Sequence, residues 1–438
     1  MKLSVRTILW LALYLFMIFA PLLIMLIGPR PAGREFWREF AVALGFIGLS
    51  LMGLQFIPTA RLPFLCCIFP MDTVYFLHHA TSVVSLGFVF AHPLILIFNN
   101  PYVAQFLNPA TSPWRVLSGV IAAALALLLI GSSVLRKDLK VIYEPWRMTH
   151  GLLSVITLVL ALVHIFEVDY YTAMPLQRAL WIVLPILWLA AIVWARGIKP
   201  ALMLKKPYEL KEVRPERNGS WTLALAPVGH EGLTFQPGQF AWLAVERSPF
   251  DIRQHPFSFA SSAERKGWLE FTIKELGDFT RTVKDVKPGA RLYVDGPYGT
   301  FGPDFHEAPG YVFLAGGIGI TPIMSTLRTL ADRGDKRPLM LFYGSPTWED
   351  VTYREEIEEL EKRLNLKVVH VLEHAHHEWQ GEKGFITSAV LDYHLPADRA
   401  NLQYFMCGPL PMIRAVEPAL QKAGVPLKNV HSERYEMA

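Results

Sequence analysis

The strongest constraint on this chain is a series of six long apolar runs in roughly its first 200 residues. The runs span approximately residues 8–27, 40–57, 73–98, 116–135, 148–166 and 179–194. Each is close to the length of about 20 residues that a helix needs to cross a bilayer. The first run follows Lys2 and Arg6 as a signal peptide would, but it continues past Leu26 and more runs follow. The sequence therefore predicts six transmembrane helices.

Positive charges predict how these helices are oriented, because cytoplasmic loops carry an excess of lysine and arginine. Such residues follow the fourth and sixth runs, at Arg136, Lys137, Lys140, Arg147, Arg196, Lys199, Lys205 and Lys206. We therefore expect the N-terminus and the region after the sixth helix to face the cytoplasm, in a multi-pass protein of the cell (inner) membrane. Arg30, Arg34 and Arg38, after the first run, do not fit this orientation, and Glu35 and Glu39 offset them only in part.

Two of the runs carry histidines at one repeated spacing. His78 and His92 lie fourteen residues apart in the third run, and His150 and His164 lie fourteen apart in the fifth. Such a spacing places both rings within about 40° on one helix face, some 21 Å apart along the axis. Ionisable side chains inside a membrane are costly and usually functional. The pattern predicts two stacked haems, one held by His78 and His150 and the other by His92 and His164.

His79 competes with His78 for the first of these sites. It lies about 140° around the helix from His92, so the spacing favours His78. Hydrogen bonding between helices by neutral histidines is the simpler explanation for a single intramembrane histidine. Two pairs at matched separations favour metal ligands instead.

After about residue 207 the hydrophobic pattern changes. Short alternating runs at 221–226, 240–245, 257–260, 268–274 and 291–295, separated by Pro-Gly turns, predict a small antiparallel barrel. From residue 309, strands at 311–315, 339–343, 367–372 and 404–407 alternate with helices at 322–333, 353–363 and 409–423, which predicts a doubly wound parallel sheet. The expected domains are therefore a six-helix transmembrane haem bundle (1–200), a β-barrel (207–305) and an α/β nucleotide-binding domain (306–438).

A glycine-rich loop joins the first strand of the α/β region to its first helix. Gly316, Gly317 and Gly319 would let the backbone approach a pyrophosphate, and the helix N-terminus would supply N–H donors. We expect Thr321 to cap this helix and Pro322 to be its first residue. The setting between strand and helix favours nucleotide binding over a plain tight turn.

Within the barrel region, residues 255–258 read His-Pro-Phe-Ser. An aromatic ring beside a hydroxyl offers a flavin a stacking surface and a hydrogen bond. A second segment, from Lys274 to Thr280, ends a strand in a glycine turn with a cation and a hydroxyl available for phosphate. Taken singly, each segment is equally well explained as a turn or a core aromatic.

In their order along the chain, these motifs resemble those of a known family. The two histidine pairs precede His-Pro-Phe-Ser (255–258), Gly-Asp-Phe-Thr (277–280), Gly-Pro-Tyr-Gly (296–299), Gly-Gly-Ile-Gly-Ile-Thr-Pro (316–322) and Cys-Gly-Pro (407–409). The set resembles the ferric reductase and NADPH oxidase superfamily, and more narrowly its bacterial ferric-reductase-like transmembrane flavohaem oxidoreductases. The resemblance covers nearly the whole chain. It implies a ferredoxin-reductase-like FAD-binding barrel followed by an NAD(P)-binding domain, both cytoplasmic.

The resemblance also implies which residues bind the flavin. Phe257 would stack near the isoalloxazine, and Ser258 would approach its reactive nitrogen. Gly277 and Thr280 would hold the FAD phosphate, and Tyr435 of the terminal segment would cover the ring. The full set is His255, Pro256, Phe257, Ser258, Lys274, Gly277, Thr280 and Tyr435, with His255 and Lys274 at the diphosphate.

For the nicotinamide nucleotide, the resemblance implies binding by Gly316, Gly317, Gly319, Thr321, Cys407 and Gly408. Cys407 and Gly408 would lie beside the nicotinamide, so Ser258 and Cys407 are the candidate catalytic residues. Many relatives have an arginine soon after the strand at 339–343, where it meets the 2′-phosphate of NADPH. This sequence has Ser345 and Pro346 there, and Arg328 and Arg354 are the remaining candidates for the 2′-phosphate. Nothing in the sequence places either arginine at the adenosine ribose, so we expect little discrimination between NADH and NADPH.

Together these features predict an NAD(P)H-dependent flavohaem oxidoreductase. Electrons would pass from cytoplasmic NAD(P)H through FAD and two haems b to an acceptor at the outer face. Oxygen (giving superoxide), ferric iron and a quinone stay open as acceptors. Two alternatives are a haem-free, membrane-anchored flavin reductase of a quinone, and a redox-coupled proton or ion carrier with the histidines as a relay.

Other partners and sites find little support. A net charge of only +4, without a basic arm, argues against nucleic-acid binding. Cys66, Cys67 and Cys407 form neither a disulfide framework nor a zinc pattern. His374, His376 and His377 are better explained by a solvated loop than by a metal site.

Overall fold

The protein is described by a computed structural model that covers residues 5–29, 31–62 and 71–433. Arg30, Cys66, Cys67 and Tyr435 lie outside these ranges. The structure forms two compact units: the first holds the described residues up to 62 and residues 73–199, and the second holds residues 71–72 and 200–433.

Within the described ranges, six helical segments are long and apolar enough to cross a membrane, which confirms the predicted number. The candidate spans are Thr7–Ile27, Phe36–Thr59, Thr73–Asn99, Trp114–Val134, Tyr143–Val168 and Pro175–Leu204. Their helices are α1 (Val5–Ile27), α2 (Phe36–Leu54), α3 (Phe56–Thr59), α4 (Met71–Asn99), α5 (Trp114–Val134), α6 (Tyr143–Val168), α7 (Pro175–Val193) and α8 (Lys199–Leu204).

The last span is longer than predicted. A π-helical turn, Trp194–Ile198, links α7 to α8, so the helical segment continues to Leu204. The sequence placed its end at residue 194 because Arg196 and Lys199 follow. Long basic side chains can extend their charged ends away from an apolar surface, so they do not have to end a membrane helix.

Buried tryptophans hold α7 against the other helices. Trp181 and Trp188 are both fully buried, and they pack with Phe46 on α2 and Leu158 on α6. Gly53 makes room for Trp188, because a Cβ at position 53 would overlap the indole ring. The close approach of α2 and α7 therefore depends on a glycine.

Arg34, one of the arginines that did not fit the orientation rule, has local partners. The guanidinium of Arg34 lies over the ring of Tyr170, 3.1 Å from its centroid, and its backbone N–H donates to the Glu39 carboxylate at 3.0 Å. Tyr171 donates its hydroxyl to the same carboxylate. The cation–π contact with Tyr170 thus stabilises this positive charge.

In the second unit, six strands of the described residues form an antiparallel sheet in the order β4-β3-β6-β1-β2-β5. A bridge between Phe259 and Phe271 links its two edges. The strands are β1 (Tyr208–Glu216), β2 (Ser220–Pro227), β3 (Phe240–Val245), β4 (His255–Ser258), β5 (Leu269–Lys274) and β6 (Arg291–Tyr298), and a short helix α9 (Asp278–Thr282) follows β5. This is the expected flavin-binding barrel, although β1 was not predicted.

The described residues after 310 form a parallel six-stranded sheet in the order β10-β9-β8-β7-β11-β12, as predicted. Its strands are β7 (Tyr311–Gly316), β8 (Leu339–Ser345), β9 (Leu366–Leu372), β10 (Glu382–Lys383), β11 (Gln403–Cys407) and β12 (Val430–Glu433). Its helices are α10 (Ile320–Asp332), α11 (Arg354–Arg363), α12 (Ser388–His394) and α13 (Leu410–Lys422). The strands β10 and β12 and the helix α12 were not predicted.

Arg328 on α10 joins the barrel to the parallel sheet domain. Its guanidinium donates twice to Glu356 at 2.6 Å, and to Glu270 on β5 at 3.0 Å. Burial alone would lower the pKa of Arg328, but these carboxylates outweigh it and raise that pKa. Arg328 was a candidate for binding a 2′-phosphate, and its ion pairs commit it to this junction instead.

Arg328→Leu should destabilise the second unit. The substitution leaves the carboxylate of Glu270, only 8% exposed, without its closest cation. Removing one partner of such a buried pair costs about 3 kcal/mol or more of the free energy of unfolding. Urea unfolding of a fragment from Pro200 to Ala438, followed by circular dichroism, measures the loss.

Arg363→Leu is the matched control for this test. Its ion pair with Asp332 is about half exposed, so its loss should cost under about 1 kcal/mol. Equal losses for the two variants would show that Arg328 does not stabilise the junction.

Candidate functional site

The structure brings the four predicted intramembrane histidines together as two pairs. The ring centroids of His78 and His150 are 6.4 Å apart, and those of His92 and His164 are also 6.4 Å apart. The two ring planes are inclined by 66° in the first pair and 69° in the second. His79 is more exposed than His78 and lies in neither pair.

Backbone carbonyls orient one pair. The Nδ1 atom of His92 lies 2.8 Å from the carbonyl oxygen of Ala41, and Nδ1 of His164 lies 2.6 Å from that of Arg115. A carbonyl oxygen only accepts, so both Nδ1 atoms carry the proton. Each Nε2 atom therefore keeps its lone pair.

Side chains orient the other pair. Nδ1 of His78 lies 2.9 Å from Oε1 of Gln55, and Nδ1 of His150 lies 3.2 Å from Oγ of Ser133. Ser133 donates its own proton to the Leu129 carbonyl at 2.6 Å, so towards His150 it accepts. All four imidazoles thus take the tautomer with Nε2 free for a metal.

Two glycines seat the rings of the His92–His164 pair. A Cβ at Gly119 would lie 2.8 Å from Cγ of His164, and a Cβ at Gly45 would lie 3.2 Å from Nδ1 of His92. The first distance is too short for a real Cβ atom, and at the second the ring of His92 would have to move by a few tenths of an ångström. The imidazoles therefore lie directly against the backbones of α5 and α2.

The separation within each pair leaves room for one metal ion. A ring nitrogen binds a transition metal at about 2.1 Å and lies about 1.1 Å from its ring centroid, so two imidazoles facing one ion have centroids about 6.4 Å apart. Among residues 5–29, 31–62 and 71–433, no group of three or more His, Cys, Asp or Glu side chains could hold a metal. Each pair therefore offers two nitrogen ligands, which suits a metal that brings its other ligands with it.

Four of the residues predicted to contact a flavin, His255 to Ser258, form β4. The ring of His255 stacks on Phe279 with centroids 3.9 Å apart and planes 13° apart, and Phe257 lies 6.1 Å from the same ring. Pro256 pairs with Trp242 in the sheet. The stack on Phe279, which follows Gly277 and Asp278, was not foreseen from the sequence.

Ser258 has a buried hydroxyl without a hydrogen-bond partner in the described part of the chain. Leaving such a group unpaired costs about 1–3 kcal/mol. A buried polar group without a partner in a native structure calls for a specific explanation. A bound ligand that hydrogen-bonds to Oγ of Ser258 would provide one.

The turn predicted to hold phosphate is partly closed on itself. Oγ1 of Thr280 accepts from the N–H groups of Leu276 and Gly277, both at 2.8 Å. Nζ of Lys274 donates to Oδ1 of Asn218 at 3.0 Å. The hydroxyl of Thr280 therefore shapes the turn, while a Cβ at Gly277 would face open space.

The glycine-rich loop after β7 uses its glycines for two purposes. A Cβ at Gly319 would overlap the carbonyl of Cys407, and a Cβ at Gly408 would lie 3.0 Å from the nitrogen of Gly316. Gly317 instead has φ +54 and faces open space. Packing therefore requires glycine at positions 316, 319 and 408. Gly317 is not packed in this way, and its backbone faces open space.

Thr321 does not cap the following helix, so that prediction was wrong. A 3₁₀ turn, Gly317–Gly319, precedes α10, which starts at Ile320 with Gly319 at the cap position. Thr321 is thus inside the first turn, and its hydroxyl donates to the carbonyl of Ile318 at 2.9 Å.

The ends of β7 and β11 form the switch point of the parallel sheet. The two strands are neighbours, with Cys407 paired to Ala315, and the chain continues from them to opposite sides. Ligands of such sheets bind in the crevice beyond the carboxyl ends of the strands at this point. Gly317, Cys407 and Gly408 all lie at that edge.

Gln55 and Ser133 are the residues of the site that sequence reasoning missed. Gln55 lies at the end of the second apolar run, and a polar amide in a membrane span was an available signal. Ser133 gave no signal, because small hydroxyl side chains commonly bond to their own helix backbone.

Three parts of the chain match known protein families. Residues 44–161 match the ferric reductase like transmembrane component, 229–301 match an FAD-binding domain, and 313–418 match the oxidoreductase NAD-binding domain. With its six candidate spans, the chain is therefore a multi-pass membrane protein with FAD-binding and NAD-binding domains. It has the architecture of the ferric reductase and NADPH oxidase type, which confirms the resemblance noted in the sequence.

Individual relatives match only part of the chain. NADH-cytochrome b5 reductase 2 of Scheffersomyces stipitis is 30% identical over 37% of this chain and 56% of its own length. The propane 2-monooxygenase reductase component of Rhodococcus jostii is 30% identical over 51% of this chain and 61% of its own. The chain thus spans about three-fifths or less of these relatives. A solved ferredoxin reductase of carbazole 1,9a-dioxygenase is 29% identical, with a TM-score of 0.46, covering 52% of this chain and 69% of that one.

Gly319→Ala should destabilise the second unit, because the new Cβ would overlap the Cys407 carbonyl at the switch point. We expect a loss of about 2 kcal/mol or more in the free energy of unfolding, as for other overpacked positions. Thermal unfolding of the fragment from Pro200 to Ala438 measures it.

Gly277→Ala serves as the control, since its Cβ meets open space and its φ is −147. It should change the stability by less than about 0.5 kcal/mol. If Gly319→Ala were as stable as Gly277→Ala, the close packing of the loop on β11 would be wrong.

Proposed function

We propose that this chain is a transmembrane NAD(P)H-dependent flavohaem oxidoreductase. It would pass electrons from cytoplasmic NAD(P)H through FAD and two bis-histidine haems b to an acceptor at the outer face. The observation that carries the proposal is the geometry of the two histidine pairs, each 6.4 Å between centroids with both Nδ1 atoms hydrogen-bonded. The match of residues 44–161 to a ferric reductase like component supports it.

The donor set of each pair fits haem in particular. Two imidazoles are too few for the protein-only sites of structural metals, which take four ligands. A haem would bring its other metal ligands with it, and His78 with His150, or His92 with His164, would hold its iron as the two protein ligands. The hydrogen bonds at Nδ1 would hold each ring in place and fix its tautomer.

FAD and NAD(P)H would bind in the second unit. The orphaned Oγ of Ser258 and the β4 aromatic Phe257 would face the flavin, with His255, Lys274 and the turn from Gly277 to Thr280 on its diphosphate side. The free backbone at Gly317, with Cys407 and Gly408 beside it, would take the nucleotide. When bound, FAD accepts a hydride from the nucleotide and releases single electrons, which a haem can accept.

The domain boundaries and the orientation belong to the same proposal. The family matches at 44–161, 229–301 and 313–418 lie inside the expected domains 1–200, 207–305 and 306–438. The excess of lysine and arginine after the fourth and sixth spans supports a cytoplasmic flavin and nucleotide region. Two imidazoles on each iron would leave no open position, so oxygen, ferric iron or a quinone would take its electron without binding the metal.

Single histidine variants test the haem sites. His78→Ala or His150→Ala should lose one haem, and His92→Ala or His164→Ala the other, because each iron would lack one axial nitrogen. Wild type should show low-spin haem bands at about two haems per chain, and each variant about one. Visible spectra and haem content of purified protein measure this.

His79→Ala is the matched control, a neighbouring histidine on the same helix that lies outside both pairs. It should keep both haems. Loss of haem from His79→Ala but not from His78→Ala would place the register one residue off. A wild-type protein without haem would contradict the haem sites and favour a flavin reductase or an ion carrier.

Nucleotide choice depends on the segment after β8. A 2′-phosphate is usually bound by arginine through two hydrogen bonds. Arg354, the remaining candidate, donates to the carbonyl of Trp348 at 3.3 Å and to Glu355 at 3.0 Å. Pro346 offers no N–H, and its carbonyl accepts from the N–H of His374 at 2.8 Å.

We therefore expect kcat/KM for NADH and NADPH to lie within about tenfold, or roughly 1.4 kcal/mol. Pro346→Arg should move the ratio towards NADPH, because it adds a charge-assisted donor. Steady-state kinetics with both nucleotides decide, and Pro346→Ser controls for loss of the proline alone. A wild-type preference for NADPH far above tenfold would mean that another cation already binds the 2′-phosphate.

A further inference from the structure

We propose that Gln55 is a positioning residue that lowers the reduction potential of the haem at the His78–His150 pair. This inference rests on the proposed function, since it assigns a role toward a haem at that pair. It concerns only how the protein tunes that site.

The amide of Gln55 is held in one orientation. Gln55 follows α2 and is 8% exposed. Its Nε2 donates to the carbonyl of Leu51 at 3.1 Å and to Oγ1 of Thr81 at 2.7 Å. Thr81 in turn gives its proton to the carbonyl of Leu77. Both contacts of Nε2 are therefore acceptors, so the other end of the amide, Oε1, must face His78.

Gln55 is the stronger of the two side-chain acceptors at this pair. Its Oε1 lies 2.9 Å from Nδ1 of His78, whereas Oγ of Ser133 lies 3.2 Å from Nδ1 of His150. The other pair is oriented by the backbone carbonyls of Ala41 and Arg115. Substituting a side chain can therefore remove an Nδ1 acceptor at the His78–His150 pair, but not at the His92–His164 pair.

An acceptor at Nδ1–H changes the imidazole as a ligand. It draws the N–H proton away and makes Nε2 a better electron donor. A better donor stabilises ferric over ferrous iron, so the reduction potential falls. A residue with only a packing role would not produce this effect.

Gln55→Leu removes the acceptor at similar size and should raise the potential of one haem. We expect a change of about tenfold in the ferric–ferrous equilibrium, which for one electron is about 59 mV. Gln55→Glu restores an oxygen acceptor in either protonation state, so its potential should lie at or below that of wild type. Spectroscopic redox titration of the purified full chain measures both haems.

A second substitution identifies which haem responds. In the His92→Ala background only the haem at His78–His150 should remain, and Gln55→Leu should shift it. In the His78→Ala background Gln55→Leu should shift nothing. Ser85→Ala is the matched control, because Ser85 is buried at the same α2–α4 contact but donates to the Gly48 carbonyl at 2.8 Å rather than touching an imidazole.

Ser133→Ala provides a second test if the Gln55→Leu protein does not fold. This variant should raise the reduction potential of the same haem by a smaller amount, since the hydrogen bond from His150 to Ser133 is longer than the one from His78 to Gln55. The inference is overturned if haem is present but Gln55→Leu and Ser133→Ala leave both potentials unchanged, if both haems shift equally, or if Gln55→Glu shifts upward like Gln55→Leu. A wild-type protein with no haem would instead overturn the proposed function itself.

Discussion

The membrane half of this protein depends on satisfying four imidazole N–H groups in an apolar surrounding. An unpaired polar group there costs several kcal/mol, so each Nδ1 has an acceptor on another helix or its end. Those acceptors decide the tautomer, and the tautomer leaves every Nε2 atom with a free lone pair. The same contacts that pack the helices together therefore also set the histidine tautomers. Gly45 and Gly119 are part of this packing, because larger residues would push His92 and His164 away from the carbonyls they bond.

The second unit depends in the same way on close backbone approach. The ends of β7 and β11 come together only because Gly316, Gly319 and Gly408 carry no side chain, and that contact forms the floor of the proposed nucleotide crevice. Polar contacts hold the barrel against the parallel sheet domain. Tyr353 adopts a left-handed backbone (φ 60), which costs about 1–2 kcal/mol, and from there it donates to Thr272 of the barrel. With Arg328, this contact joins the barrel to the sheet domain within one compact unit.

The sequence predicted the elements whose signals are periodic. Apolar runs marked the six spans, and repeated spacing marked the histidine pairs that the structure brings together. Strand β1 (Tyr208–Glu216) was missed because charged residues dominate it and only Tyr208 and Leu210 are fully buried. The cap at Thr321 was wrong because a 3₁₀ turn occupies the residues before α10, and local residue type does not reveal that turn. Gln55 could not be assigned to His78 from the sequence, because the two residues belong to different helical segments. The periodicity of one sequence does not show which residues of different helices touch.

The equal spacing on the two helices has a geometric cause. His78 faces His150 and His92 faces His164, so α4 and α6 run in the same direction and present their rings at two common levels. One inserted residue in either helix between its histidines would rotate the later ring by about 100° and move it by about 1.5 Å. That change would break one pair while sparing the other. Two separate sites across one pair of helices therefore require the same interval on both helices, whereas histidines that only bonded neighbouring helices would have no reason to share one.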